Sequence, residues 1–65
     1  MISGDSALKV AISFHKEGNA EQAINNYKLA IDRGTKQKHA FINLAALLRM
    51  QGEPVEAGKV IEQGL

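Results

Sequence analysis

His15 and His39 are the two histidines of this chain of 65 residues, and no cysteine stands beside them. A metal site on a helix needs a second ligand one turn away, at i+4, so that both side chains share a face. Neither histidine has one, because Asn19 follows His15 at that spacing and Asn43 follows His39. Glu17 comes two residues after His15 and points to a different side of a helix. Both histidines therefore read as solvated helix positions. Arg33, Lys36 and Lys38 form a small basic knot, but no aromatic residues are interleaved with them to stack bases, which is the pattern of a polar loop. Carboxylates are scattered singly, and no glycine-rich phosphate loop, nucleophile elbow or acid pair is present. The expectation is a chain that is not an enzyme and that uses no metal and no cofactor.

Composition narrows the remaining classes. Hydrophobic residues make up 45% of the chain, too many for a segment that stays disordered. Eight basic against seven acidic residues leave a net charge of +1, which argues for neither nucleic acid nor an anionic membrane as partner. The stretch 40–48 is the longest apolar-rich run, is interrupted by Asn43 and is followed by Arg49, well short of the ~20 residues of a membrane span. Residues 1–5 carry no basic region ahead of an apolar one. With no signal peptide, the cytoplasm is the expected compartment.

The elements that must position any surface chemistry are four helices. In the first, Ala7, Leu8, Val10, Ala11, Ile12 and Phe14 recur at helical spacing, with Ser3, Asp5 or Ser6 available as N-cap. It stops near Gly18. Asn19 then caps a second helix, with Gln22 three residues on, and Ala20, Ala23, Ile24, Tyr27, Ala30 and Ile31 along one face. Gly34 ends it at the left-handed C-terminal position. After a polar loop at Thr35, Lys36 and Gln37, a third helix is predicted over 39–51. It is apolar around most of its circumference, through Phe41, Ile42, Leu44, Ala45, Leu47, Leu48 and Met50, and so expects cover on more than one side. Gly52 closes it and Pro54 opens the fourth at the first helical position. That helix contains Val55, Ala57, Val60, Ile61 and Leu65 but also Gly58 and Gly64, each of which weakens a helix interior by about 1 kcal/mol relative to alanine. It is expected to be the least stable of the four.

These helices repeat at a spacing of 34 residues, the distance from Gly18 to Gly52. The same shift brings Leu8 onto Ile42, Val10 onto Leu44, Ala11 onto Ala45, Phe14 onto Leu48, Gln22 onto Glu56, Ala23 onto Ala57, Tyr27 onto Ile61 and Ile31 onto Leu65. Small residues meet small ones and large apolar residues meet large ones. A period of that length marks a unit that cannot bury its apolar face alone and stacks on its neighbour.

On these residues the chain resembles a pair of tetratricopeptide repeats over residues 5–65. The likeness is carried by Ala11 and Ala45, the turns Gly18-Asn19 and Gly52-Glu53, the pairs Gln22-Ala23 and Glu56-Ala57, and the small residues Ala30 and Gly64. Ala7, Thr35 and Gly58 depart from the pattern, standing where the family favours a large aromatic, a proline and an aliphatic residue. The resemblance implies an all-α fold, two antiparallel helix-turn-helix hairpins stacked as a short right-handed α-solenoid, in one domain over 1–65. Repeat 1 runs over about 4–37, and repeat 2, truncated, over about 38–65.

In this family the first helix of each repeat lines a concave, ligand-facing surface. The corresponding positions are Asp5, Leu8, Lys9, Ile12, His15 and Lys16 in repeat 1, and His39, Ile42, Asn43, Ala46, Arg49 and Met50 in repeat 2. Leu8, Ile12, Ile42 and Ala46 would form an apolar strip with Lys16, Arg49 and His15 at one end, suited to an acidic or carboxylate-bearing partner. Asn43 offers donor and acceptor to a peptide backbone. Members that clamp a C-terminal carboxylate use lysine and asparagine where this chain has Leu8 and Ile12, which argues against that ligand. The expected function is a non-catalytic protein-interaction module for a peptide or helix. The alternative is a structural piece of a longer repeat array, in which the strip is core or self-contact. A homodimer through the C-terminal helix, covering Val60, Ile61 and Leu65, is a further expectation.

Overall fold

Ser3 starts the first helix: its hydroxyl accepts the amide of Ser6 at 3.1 Å, satisfying one of the donors that a helix N-terminus leaves free. In the computed structural model, which describes residues 3–64, the helices are α1 Gly4–Lys16, α2 Ala20–Asp32, α3 Lys38–Met50 and α4 Pro54–Gly64. No strand occurs among the described residues. Asn19 caps α2 through its side-chain oxygen, which accepts the Gln22 amide at 3.4 Å. The α3 cap, Gln37, makes no side-chain cap bond, and the helix begins one residue earlier than the apolar pattern predicts.

Three helix ends share one geometry. Gly18, Gly34 and Gly52 have φ of 79°, 83° and 80°, a left-handed conformation in which a Cβ would be strained. Each lets the next residue's amide turn back to a carbonyl in the last turn: Asn19 to Phe14 at 2.9 Å, Thr35 to Ala30 at 3.0 Å and Glu53 to Leu48 at 2.9 Å. This closure satisfies carbonyls that would otherwise be open at the helix end.

The reversals pair the helices as two hairpins, α1 on α2 and α3 on α4, and α2 packs on α3 to join them. Each pair is antiparallel. A Cβ on Gly4 at the start of α1 would lie 2.8 Å from the Thr35 amide nitrogen and 2.9 Å from the Ala30 carbonyl oxygen at the end of α2. At the other end of the chain, a Cβ on Gly64 of α4 would run into the ring and Cβ of Phe41 near the start of α3. Ala11, Ala23, Ala45 and Ala57 are all buried, as small side chains that let backbones approach must be. One apolar cluster, with Tyr27, Leu44 and Leu48 its largest fully buried members, runs through all four helices.

The molecule is a slab with extents of 31 × 26 × 15 Å, and α3 packs against both α2 and α4, the cover on more than one side that its apolar circumference predicts. Its Ala40, Leu44, Ala45, Leu47 and Leu48 are buried, while Ile42 and Met50 stay exposed. Val60 does not face water: it is buried, and it borders the α2–α4 groove with Leu44 and Ile31. Leu65, expected beside it, lies outside the described residues. Thr35, read as part of a solvated loop, is buried, and its hydroxyl donates to the Asp5 carboxylate at 3.0 Å.

Candidate functional site

The spacing of Asp5, Leu8, Lys9 and Ile12 places them on one face of α1, where i+3 and i+4 neighbours coincide. Opposite them stand Gln37 and His39, from the loop and first turn of α3, and the six residues line a trough of about 310 Å³. Leu8 is buried at its floor and Ile12 half-buried; Lys9 and His39 are exposed at its rim. The wall is held by Thr35, which donates to Asp5 and accepts the Gln37 amide at 3.4 Å. Asp5, at the first turn of α1, thus tethers the inter-hairpin loop.

A second group surrounds the Tyr27 hydroxyl. His15 Nδ1 lies 3.1 Å from Tyr27 Oη, the two rings meeting edge to face at 6.0 Å and 88°. Asn43 Nδ2 donates to the same oxygen at 3.3 Å. With the imidazole hydrogen on Nε2, the hydroxyl hydrogen goes to Nδ1 while the hydroxyl oxygen accepts from Asn43. Burial pushes the Tyr27 hydroxyl above its ordinary value of 10.0, and the Asn43 bond partly offsets that rise. The solvated position expected for His15 is thereby corrected: it is half-buried and joins α1 to α2, while Asn43 joins α2 to α3. His39 is exposed, as its sequence context implies.

The concave-face residues fall into three places. Leu8, Lys9 and Ile12 meet in the trough; His15 and Asn43 meet at Tyr27; Lys16, Ile42, Ala46, Arg49 and Met50 are exposed on α1 and α3. Leu8 and Ile42, paired by the period as one apolar strip, differ sharply, since Leu8 is built into the core. Tyr27, Thr35 and Gln37 are the contributors that sequence reasoning missed. For Tyr27 a signal exists: the period sets it against Ile61, so its hydroxyl is an addition that packing alone does not require.

The groove of about 330 Å³ between α2 and α4 is bordered by Lys28 and Glu56, which pair across it at 3.4 Å. That pair is half-exposed and adds little stability. Among the described residues no group of three or more His, Asp or Glu side chains is placed to hold a metal ion, and no helix is long and apolar enough to cross a membrane. Compared with protein-family models, curated proteins and solved structures, the chain matches none.

Proposed function

We propose that this chain is a non-catalytic interaction module, a short right-handed α-solenoid of tetratricopeptide type acting in the cytoplasm, that takes a peptide or helix from another protein against its α1 and α3 helices. The observation that carries the reading is the trough itself: an apolar floor of Leu8 and Ile12 under a rim of Lys9, His39, Gln37 and Asp5, open to solvent, with the Asp5 carboxylate engaged by the Thr35 hydroxyl. An apolar floor with a few polar rim groups is what a bound segment needs to bury a side chain and fix its direction. The Lys9 ammonium favours an acidic residue next to the buried apolar one. The 34-residue period and the glycine turns support the solenoid reading, because equivalent hairpins generate equivalent faces.

The test is selection of a phage-displayed peptide library on the immobilised chain. Enriched peptides should pair an apolar with an acidic residue, and Lys9→Glu in the chain should weaken them about tenfold. No enrichment, or binding indifferent to Lys9→Glu and His39→Glu, would overturn the proposal.

A further inference from the structure

The trough ends at Ile12, but the strip it belongs to goes on. Along α1, His15 stands three residues beyond Ile12 and seven beyond Leu8, on the same face; along α3, Asn43 stands four beyond His39. One turn past the trough, both of its walls therefore carry a polar side chain, and one atom holds both from beneath. The Tyr27 ring is fully buried, and its hydroxyl oxygen lies 3.1 Å from His15 Nδ1 and 3.3 Å from Asn43 Nδ2.

Each of the two side chains is tied through one polar atom and keeps another. Nδ1 of the imidazole and Nδ2 of the carboxamide face the phenol, so His15 Nε2 and Asn43 Oδ1 are left without a partner among the described residues. Both residues are half-buried, and no buried side-chain nitrogen or oxygen among the described residues lacks a hydrogen bond, so both atoms reach solvent. Their polarity is coupled through the phenol. The hydroxyl oxygen accepts from Asn43 and the hydroxyl hydrogen goes to Nδ1, which leaves Nε2–H as a donor and Oδ1 as an acceptor. Were the carboxamide turned over, the hydroxyl would donate to Asn43 and accept from Nδ1–H, and the two outward roles would exchange. In either arrangement the pair shows one donor and one acceptor.

We propose that this pair reads the main chain of an extended peptide: His15 Nε2–H donates to a peptide carbonyl, Asn43 Oδ1 accepts a peptide amide, and Tyr27 is the positioning residue that sets both. An apolar side chain of the same peptide lies on Leu8 and Ile12. An extended strand shows a carbonyl and an amide along one edge while its side chains turn to alternate faces, and so offers what the strip asks for. A helix does not, because its interior amides and carbonyls are bonded to one another. A terminal carboxylate only accepts, and leaves Oδ1 unmet. A side chain settling on Ile12 displaces water from the polar atoms beside it, and a main-chain amide spares them the cost of staying unpaired. The inference rests on the interaction-module reading and deepens it by choosing the extended peptide over the helix and naming the two atoms that hold it.

The probe is the most enriched peptide of the phage selection, capped at both ends, with a set of derivatives that each carry one backbone N-methyl group. Affinity for the unmodified chain should fall about tenfold at a single interior position, where methylation removes the amide that Asn43 accepts, and less than about threefold at its two neighbours, whose amides point the other way. In Tyr27→Phe that penalty should shrink at least about threefold while those elsewhere stay unchanged, a position-specific coupling that a purely structural tyrosine would not produce. Asn43→Leu and His15→Leu, both at half-buried positions, carry the test if Tyr27→Phe disturbs the far-UV spectrum. Each should weaken the parent peptide about tenfold, and only Asn43→Leu should abolish the N-methyl penalty. Equal penalties along the peptide, a bound peptide that is helical by far-UV ellipticity, or a penalty that survives Asn43→Leu or a folded Tyr27→Phe would overturn the inference. In those outcomes the peptide still binds and still answers to Lys9→Glu, so the interaction-module reading stands; failure of the selection itself overturns both.

Discussion

At the scale of single residues, the Tyr27 hydroxyl is the point where three helices meet. Its ring is fully buried, yet its oxygen serves both His15 and Asn43, so one phenol joins α1, α2 and α3 by polar bonds as well as by packing. Removing the oxygen in Tyr27→Phe keeps the packing and leaves two half-buried partners to seek water, which should cost about 1 kcal/mol. The pH dependence has a definite sign. Burial raises the native pKa above 10.0, so the folded state holds the phenolic proton more tightly than the unfolded chain does. The resulting stability is fully present below pH 10.0 and is lost as pH rises through the native value. Because Tyr27 is the single tyrosine, the difference in denaturant stability between the parent and Tyr27→Phe should shrink steadily above pH 10.0. Parallel alkaline curves would show that the hydroxyl is not held in the core.

Among the elements, α4 carries two glycines that its helical pattern does not explain, and the structure separates them. Nothing lies near the position a Cβ would take on Gly58, so Gly58→Ala should stabilise the fold by about 0.5–1 kcal/mol through reduced freedom of the unfolded chain. Gly64 is different. Its missing side chain is the space that Phe41 occupies, with the Phe41 Cβ only 2.6 Å from where an alanine methyl would sit, and Gly64→Ala should destabilise by about 1–3 kcal/mol. The first hairpin solves the same joint with Ala7 and Ala30, both buried, so Phe41→Ala should relieve much of the Gly64→Ala defect in a double variant. Urea midpoints of the parent and these four variants check this; both glycine variants moving in the same direction would contradict the assignment.

For the whole molecule, the relevant fact is that one apolar cluster is shared by both hairpins. Leu8 and Tyr27 belong to the first hairpin, and the second supplies Asn43 and much of the cover above them. At 65 residues there is little stability to divide, and neither hairpin alone buries enough surface to offset its chain entropy. Thermal unfolding should therefore be a single transition, coincident by far-UV ellipticity and by Tyr27 fluorescence. A peptide of residues 1–36 should show little helicity on its own. Separate transitions, or a folded isolated hairpin, would mean that the two units are independent.

How far the amino-acid sequence reached can be stated residue by residue. The cap at Asn19, the stops at Gly18 and Gly52, the left-handed Gly34, the opening of α4 at Pro54 and the buried alanines are local signals, each acting within a few residues of itself, and were legible from spacing and side-chain type; for α1 spacing left Ser3, Asp5 and Ser6 open as caps, and the fold uses Ser3. The number and pairing of the helices follow from them. What lay beyond the sequence is which of two equivalent positions is covered: Leu8 against Ile42, Val10 against Leu44, Asn26 against Val60. The bond from His15 to Tyr27 and the tether from Asp5 to Thr35 belong to the same class. Counterparts one period apart have the same helical setting and differ only in their neighbour across space. Tertiary packing, which sets that neighbour, therefore decided the two faces of the molecule.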